Sequence, residues 1–188
     1  MSARPKVGFL GLGWIGLARL DALRESERVE VAALCDSDPD ALRKGIERAP
    51  EARTSTRYED MLEMDLDALV IATPSALHAR QCIAAFERGL AVFCQKPLAR
   101  TAREARAVLD AARTHDRLLR VDFCYRHTEA LSRTREVVRS GELGIPFAAE
   151  LVFHNAYGPD NRWAQDPALA GGGCLMDLGV HLIDALLW

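Results

Sequence analysis

Apolar residues fall along the chain in short runs that alternate with stretches of helical spacing. Val7, Phe9 and Leu10 make a brief apolar run, and Ile15, Leu17, Ala18, Leu20 and Leu23 follow at helical intervals. The first pattern suits a strand buried on both faces, the second a helix laid over it. The pair recurs down the chain. A strand over 29–35 leads to a helix over 39–48, and a short strand at 53–55 leads to a small helix at 58–63. Strands over 66–72 and 91–94 are followed by helices over 75–88 and 102–115, and a strand over 118–123 closes the series. Such alternation predicts an α/β fold in which a doubly wound parallel sheet is covered by helices.

Near residue 121 the rhythm changes. A helix over 129–140 stops at Gly141, Gly144-Ile145-Pro146 makes a turn, and Phe147, Ala149, Leu151 and Phe153 alternate with other residues over 147–155. That alternation predicts one long strand in a sheet with two different faces. An irregular stretch over 156–173 ends in Gly171-Gly172-Gly173, and a last helix begins near Leu175. The expected division is a first domain over 1–121 and an incomplete second one over 122–188.

Composition narrows the functions. Hydrophobic residues are 49% of the chain, enough for a packed core, and the formal net charge is −3 with no dense Lys/Arg tract. Nucleic acid and anionic membrane are thereby disfavoured as main partners, and a small molecule is expected. No apolar leader precedes the first strand, and no run is long enough to span a bilayer, so a cytoplasmic location is expected. Cys35, Cys82, Cys94, Cys124 and Cys174 are odd in number and contain no C-x-x-C pair. They read as buried free thiols in a reducing compartment, not as a disulfide framework or zinc site.

Candidate chemistry begins where the first strand meets the first helix. Gly11, Gly13 and Gly16 fill the positions of G-x-G-x-x-G. That pattern permits a tight turn, close approach of a pyrophosphate to the backbone, and close helix–strand packing. Asp36 ends the second strand, twenty residues beyond Gly16, where a dinucleotide domain places the acid that accepts from the adenosine ribose. A carboxylate there repels a 2′-phosphate and favours NAD over NADP. Asp36 or Asp38 could instead cap the next helix; Asp38 before Pro39 fits a cap well and leaves Asp36 for the ribose. Thr73-Pro74 forces a turn at another strand end. His78, one turn on, is read as a ligand contact or as a packing or capping histidine. Lys96 stands where strand becomes loop on the same ligand-facing edge, stiffened by Pro97. On the last helix Asp177, His181 and Asp184, spaced by four and three, share a face. They could transfer a proton, complement the helix dipole, or supply two metal ligands, with no third ligand at convincing spacing.

Together these motifs resemble the Gfo/Idh/MocA family, named for glucose-fructose oxidoreductase, inositol dehydrogenase and MocA. The resemblance rests on Gly11-Leu12-Gly13-Trp14-Ile15-Gly16, Asp36, Ala72-Thr73-Pro74 with His78, Lys96-Pro97, and the run from Gly171 to Asp184. It implies a Rossmann domain followed by an α/β domain whose open, mostly antiparallel sheet mediates oligomers. It further implies oxidation or reduction of a hydroxyl or carbonyl carbon on a sugar or cyclitol with NAD or NADP. Carried over by position, Gly11, Gly13, Trp14, Ile15, Gly16, Asp36 and Ser37 would hold the cofactor with Thr73, Pro74, His78, Gln95 and Lys96. Lys96 would also touch substrate, and Asp177 and His181 would handle the reacting oxygen. Tyr157, Asn161, Arg162 and Trp163 would shape the substrate pocket. Two departures stand out. Gln95 occupies the place of the family's usual Glu, removing an anion beside Lys96, and the chain stops inside an apparent helix where family members continue. A nucleotide-binding sensor or scaffold without turnover is the competing expectation.

Overall fold

The computed structural model describes residues 4–154 and 166–188. Six parallel strands form one sheet: β1 (Lys6–Leu10), β2 (Glu30–Cys35), β3 (Arg53–Ser55), β4 (Ala68–Ile71), β5 (Ala91–Gln95) and β6 (Leu119–Asp122). Their spatial order is β3-β2-β1-β4-β5-β6. The order reverses between β1 and β4, so the crossovers leave that point in opposite directions and open a crevice at the strands' carboxyl ends.

Helices α1 (Trp14–Glu25) and α2 (Pro39–Arg48) cover one face of the sheet. Leu17 and Leu20 pack there against Phe9, Leu34 and Val70. On the other face lie α3 (Tyr58–Leu62), α4 (Ser75–Glu87) and α5 (Ala102–Thr114). Met61, Cys82, Phe86 and Val108 pack against Leu69, Ile71 and Val92. Phe9, Phe86, Leu20 and Leu69 are fully buried, each contributing about 1.5–3 kcal/mol by leaving water. Local signals agree with the packing. Asp38 caps α2 by accepting from the Asp40 amide, and Thr101 caps α5 by accepting from the Glu104 amide.

After β6 a 3₁₀ turn (Cys124–His127) leads into α6 (Glu129–Ser140), which Gly141 closes in the left-handed region at φ 81°. The strand expected over 147–155 is not formed in its described part. Residues 147–154 carry no ladder, and the Phe147 side chain is wholly exposed. A strand exists only by pairing, and an alternating segment with no neighbour stays irregular whatever its propensity. Among the described residues there is accordingly no second, antiparallel sheet.

The chain resumes in the short helix α7 (Pro167–Ala170), passes through Gly171–Gly173, and makes a π turn (Leu175–Gly179) before α8 (Val180–Leu187). By length and composition alone, the stretch Pro167–Leu187 is long and apolar enough to cross a bilayer. This corrects the expectation that no run is so long. Its two carboxylates, however, are committed to the rest of the fold: Asp177 to Lys96, and Asp184 to Arg126 through a two-pronged ion pair.

Candidate active site

The glycine turn is built by three glycines with three different requirements. Gly11 sits at φ +90°, and a Cβ there would meet the Ala72 backbone at 2.6 Å. It therefore lets the ends of β1 and β4 touch. A Cβ on Gly16 would lie 2.0 Å from the Gly11 carbonyl oxygen, so helix and turn can pack only without it. A Cβ on Gly13 would meet nothing within 4 Å. No protein atom demands glycine there, and the open space lies at the N-terminus of α1, which has no side-chain cap. Free N–H groups and a positive dipole end facing room for a phosphate are the requirements of a pyrophosphate site, and the residues present fit one.

Asp36 faces the same crevice. Its Oδ2 accepts from the Leu12 amide at 2.6 Å and its Oδ1 from the Asp38 amide at 2.9 Å. Two bonds leave lone pairs for the vicinal hydroxyls of a ribose. Gly13, Trp14, Ile15, Asp36, Ser37, Thr73 and Pro74 line this pocket together. His78 does not join them. Its ring is buried, with Nδ1 2.8 Å from the Pro97 carbonyl oxygen and Nε2 2.7 Å from that of Thr73. It spans the loops after β4 and β5 with both ring nitrogens at hydrogen-bond distance from carbonyl oxygens, an arrangement that suits the packing reading. Burial holds it below the ordinary histidine value, against the pull of the two carbonyls.

A second cavity adjoins the first through Trp14, Ile15, Ala72 and Thr73, and here Lys96, Asp177 and His181 come together with Gln95. Lys96 Nζ donates to the Asp177 carbonyl oxygen at 2.6 Å and to its carboxylate Oδ1 at 2.8 Å. The anion that Gln95 lacks is thus supplied to the lysine from the π turn. His181 is 7% exposed, and its Nδ1 is buried with no hydrogen-bond partner among the described residues. Tyr125 and Phe123 stand edge-on to its ring at 4.7 and 6.4 Å between centroids. Burial pushes His181 below its ordinary value of 6.5 and the Lys96 ammonium adds to the effect, while Asp122, Asp177 and Asp184 pull the other way. A neutral imidazole at physiological pH can accept a proton. Asp184 is not in this cavity, so the single helical face read from the spacing is split: the π turn carries Asp177 toward Lys96, and Arg126 holds Asp184 elsewhere.

Tyr157, Asn161, Arg162 and Trp163 lie outside the described residues. Arg19, Asp122 and Tyr125 line the second cavity and were not singled out from the sequence. Asp122 carried a usable signal, a charged residue at the carboxyl end of a strand on the edge that bears Lys96. Of the cysteines, Cys35, Cys82 and Cys94 are buried as expected, but Cys174 is exposed. Burial raises the Cys94 thiol well above its ordinary value, which makes it a poor nucleophile.

Residues 5–123 match the oxidoreductase family with an NAD-binding Rossmann fold, and residues 131–188 match the C-terminal domain of the same family. The chain belongs to the Gfo/Idh/MocA oxidoreductases. Among Gfo/Idh/MocA relatives, it is 31% identical to the rhizopine catabolism protein MocA of Rhizobium meliloti, over 98% of this chain and 57% of that one. It is 32% identical to inositol 2-dehydrogenase 3 of Saccharopolyspora erythraea, over 97% of this chain and 53% of the other. The crystal structure of GenD2 from gentamicin A biosynthesis in complex with NAD superimposes with TM-score 0.86 at 25% identity, over 98% of this chain and 53% of GenD2. An NAD-binding protein from Listeria innocua superimposes with TM-score 0.89 at 27% identity, over 98% of this chain and 54% of the other. The chain spans about half the length of the Gfo/Idh/MocA relatives it matches.

Proposed function

We propose that the chain carries the cofactor-binding and proton-handling part of an NAD-dependent oxidoreductase acting on a hydroxyl or carbonyl carbon of a sugar, cyclitol or related polyol. One observation carries this reading: Lys96, Asp177 and His181 line one cavity, which adjoins the glycine turn at the carboxyl edge of the sheet. NAD, when bound, supplies the hydride chemistry. The chain's own residues do the rest. The N-terminus of α1 takes the pyrophosphate over Gly13, and Asp36 takes the ribose hydroxyls and repels a 2′-phosphate. Lys96, with two of its donor directions spent on Asp177, points its remaining proton at the substrate oxygen. His181 takes the hydroxyl proton at Nε2 while Nδ1 keeps its own. Tyr157, Arg162 and Trp163 are assigned to the substrate side by family resemblance. The boundary near residue 121, a cytoplasmic location and oligomerisation through a C-terminal sheet belong to the same reading.

The test is NADH formation by this chain over a panel of polyols. Lys96→Met and His181→Ala each lower turnover by about 100-fold or more, the scale of general acid–base catalysis; turnover unchanged in both sinks the reading. A nucleotide-binding protein without turnover is the second reading, favoured because Gln95 leaves no carboxylate immediately before Lys96. It requires NAD binding with no NADH formed from any polyol.

A further inference from the structure

Asp122 is one of the few charged side chains buried in the described structure, at 6% exposure, and the proton-handling groups account for neither its burial nor its partners. It ends β6 directly opposite Gln95 at the end of β5, in register within the parallel ladder. Gln95 Nε2 donates to Asp122 Oδ2, and Arg19 Nε, reaching across from α1, donates to the same oxygen at 2.6 Å. Gln95 is itself 6% exposed and precedes Lys96 in the chain. All of these side chains line the cavity that holds Lys96, Asp177 and His181. A buried carboxylate is costly unless paired and hydrogen-bonded, and here an amide and a guanidinium provide both.

We propose that Asp122 is a positioning residue for this site: it anchors Gln95, and through it the strand end bearing Lys96, and it supplies the negative charge that faces His181 in opposition to Lys96. The inference rests on the reading of Lys96 and His181 as the proton-handling pair. Among the described residues, the charges around His181 are Lys96 from the loop after β5, Asp122 from β6 with Arg19 from α1 paired to it, Asp177 from the π turn, and Asp184 on α8 neutralised by Arg126. Of the carboxylates, Asp122 exerts the strongest upward pull on the imidazole. Arg19 moderates that pull by pairing with it.

Titration of the imidazole by nitrogen-detected NMR on the whole chain tests this without cofactor or substrate. Asp122→Asn keeps the shape and removes the charge, and lowers the His181 midpoint by about one pH unit, the low end for a nearby charge. Moving the carboxylate across the same hydrogen bond, in Gln95→Glu/Asp122→Asn, returns the midpoint toward that of the parent. Arg19→Gln, which leaves Asp122 charged but unopposed, raises it, and carries the test alone if Asp122→Asn does not fold. A His181 midpoint that stays put in Asp122→Asn or in Arg19→Gln overturns the proposal, as does failure of the double variant to restore it. None of these outcomes depends on turnover, so the loss of the catalytic reading in Lys96→Met and His181→Ala is a separate event.

Discussion

At the scale of single residues the glycine turn separates folding from binding. Gly16 has a carbonyl oxygen where a Cβ would stand, and Gly13 has nothing. Gly16→Ala must push α1 off the end of β1, and overpacking of this kind costs about 1–3 kcal/mol or more. Gly13 has φ −64° and ψ −177°, which any residue adopts. Gly13→Ala therefore leaves the unfolding free energy within about 0.5 kcal/mol of the parent, as for a surface change away from special features. Its methyl group nonetheless occupies the space left for phosphate, and NAD affinity falls about 10-fold or more, the equivalent of about 1.4 kcal/mol. Chemical denaturation and NAD titration of the two variants check both halves. Normal NAD affinity in folded Gly13→Ala would mean that the pyrophosphate lies elsewhere.

Among elements, α8 owes its place to charges. It has few buried positions, with Ile183, Leu186 and Leu187 exposed; Lys96 ties the preceding turn to the loop after β5 through Asp177, and Arg126 ties α8 to the 3₁₀ turn after β6 through Asp184. Lys96→Met removes the first tie. Amide protection over 180–187 in hydrogen exchange should then fall toward that of a fraying terminus, while β1 and β4 keep theirs. Protection equal to the parent's would show that Arg126 alone suffices. The same contrast explains what the sequence could tell. The sheet and its helices were legible almost residue by residue, because buried parallel strands read as apolar runs and caps such as Asp38 mark the ends. Residues 147–154 were misread because alternation reports the fitness of a segment for a sheet and is silent on whether a neighbour exists. The π turn was invisible for a related reason: the spacing from Asp177 to His181 matches a regular helix, and only the pull of Lys96 on one carbonyl reveals the wider turn. Asp122 escaped notice because its partners, Arg19 and Gln95, are remote in sequence and meet only once β5 and β6 align.

For the molecule as a whole, two buried histidines set the response to acid. His78 and His181 are both held below 6.5, by burial first of all. Unfolding restores the ordinary value, so between 6.5 and the lower folded values the unfolded chain binds protons that the folded chain refuses. Stability then rises with pH across that window and is lost as pH falls through it, levelling off only below the folded values. Urea midpoints measured from about pH 7 down to about pH 5, above the range in which ordinary carboxylates titrate, should decline. A flat profile would mean that both rings charge freely in the folded protein.

Lys96 is gripped by a backbone oxygen of residue 177 as well as by its side chain. A backbone atom is the same in all twenty amino acids. Drift at position 177 can therefore weaken the hold on the lysine but not abolish it, whereas gain or loss of a single residue between 175 and 179 would move the oxygen itself. The hold on the lysine therefore depends more on the length of this turn than on its spelling.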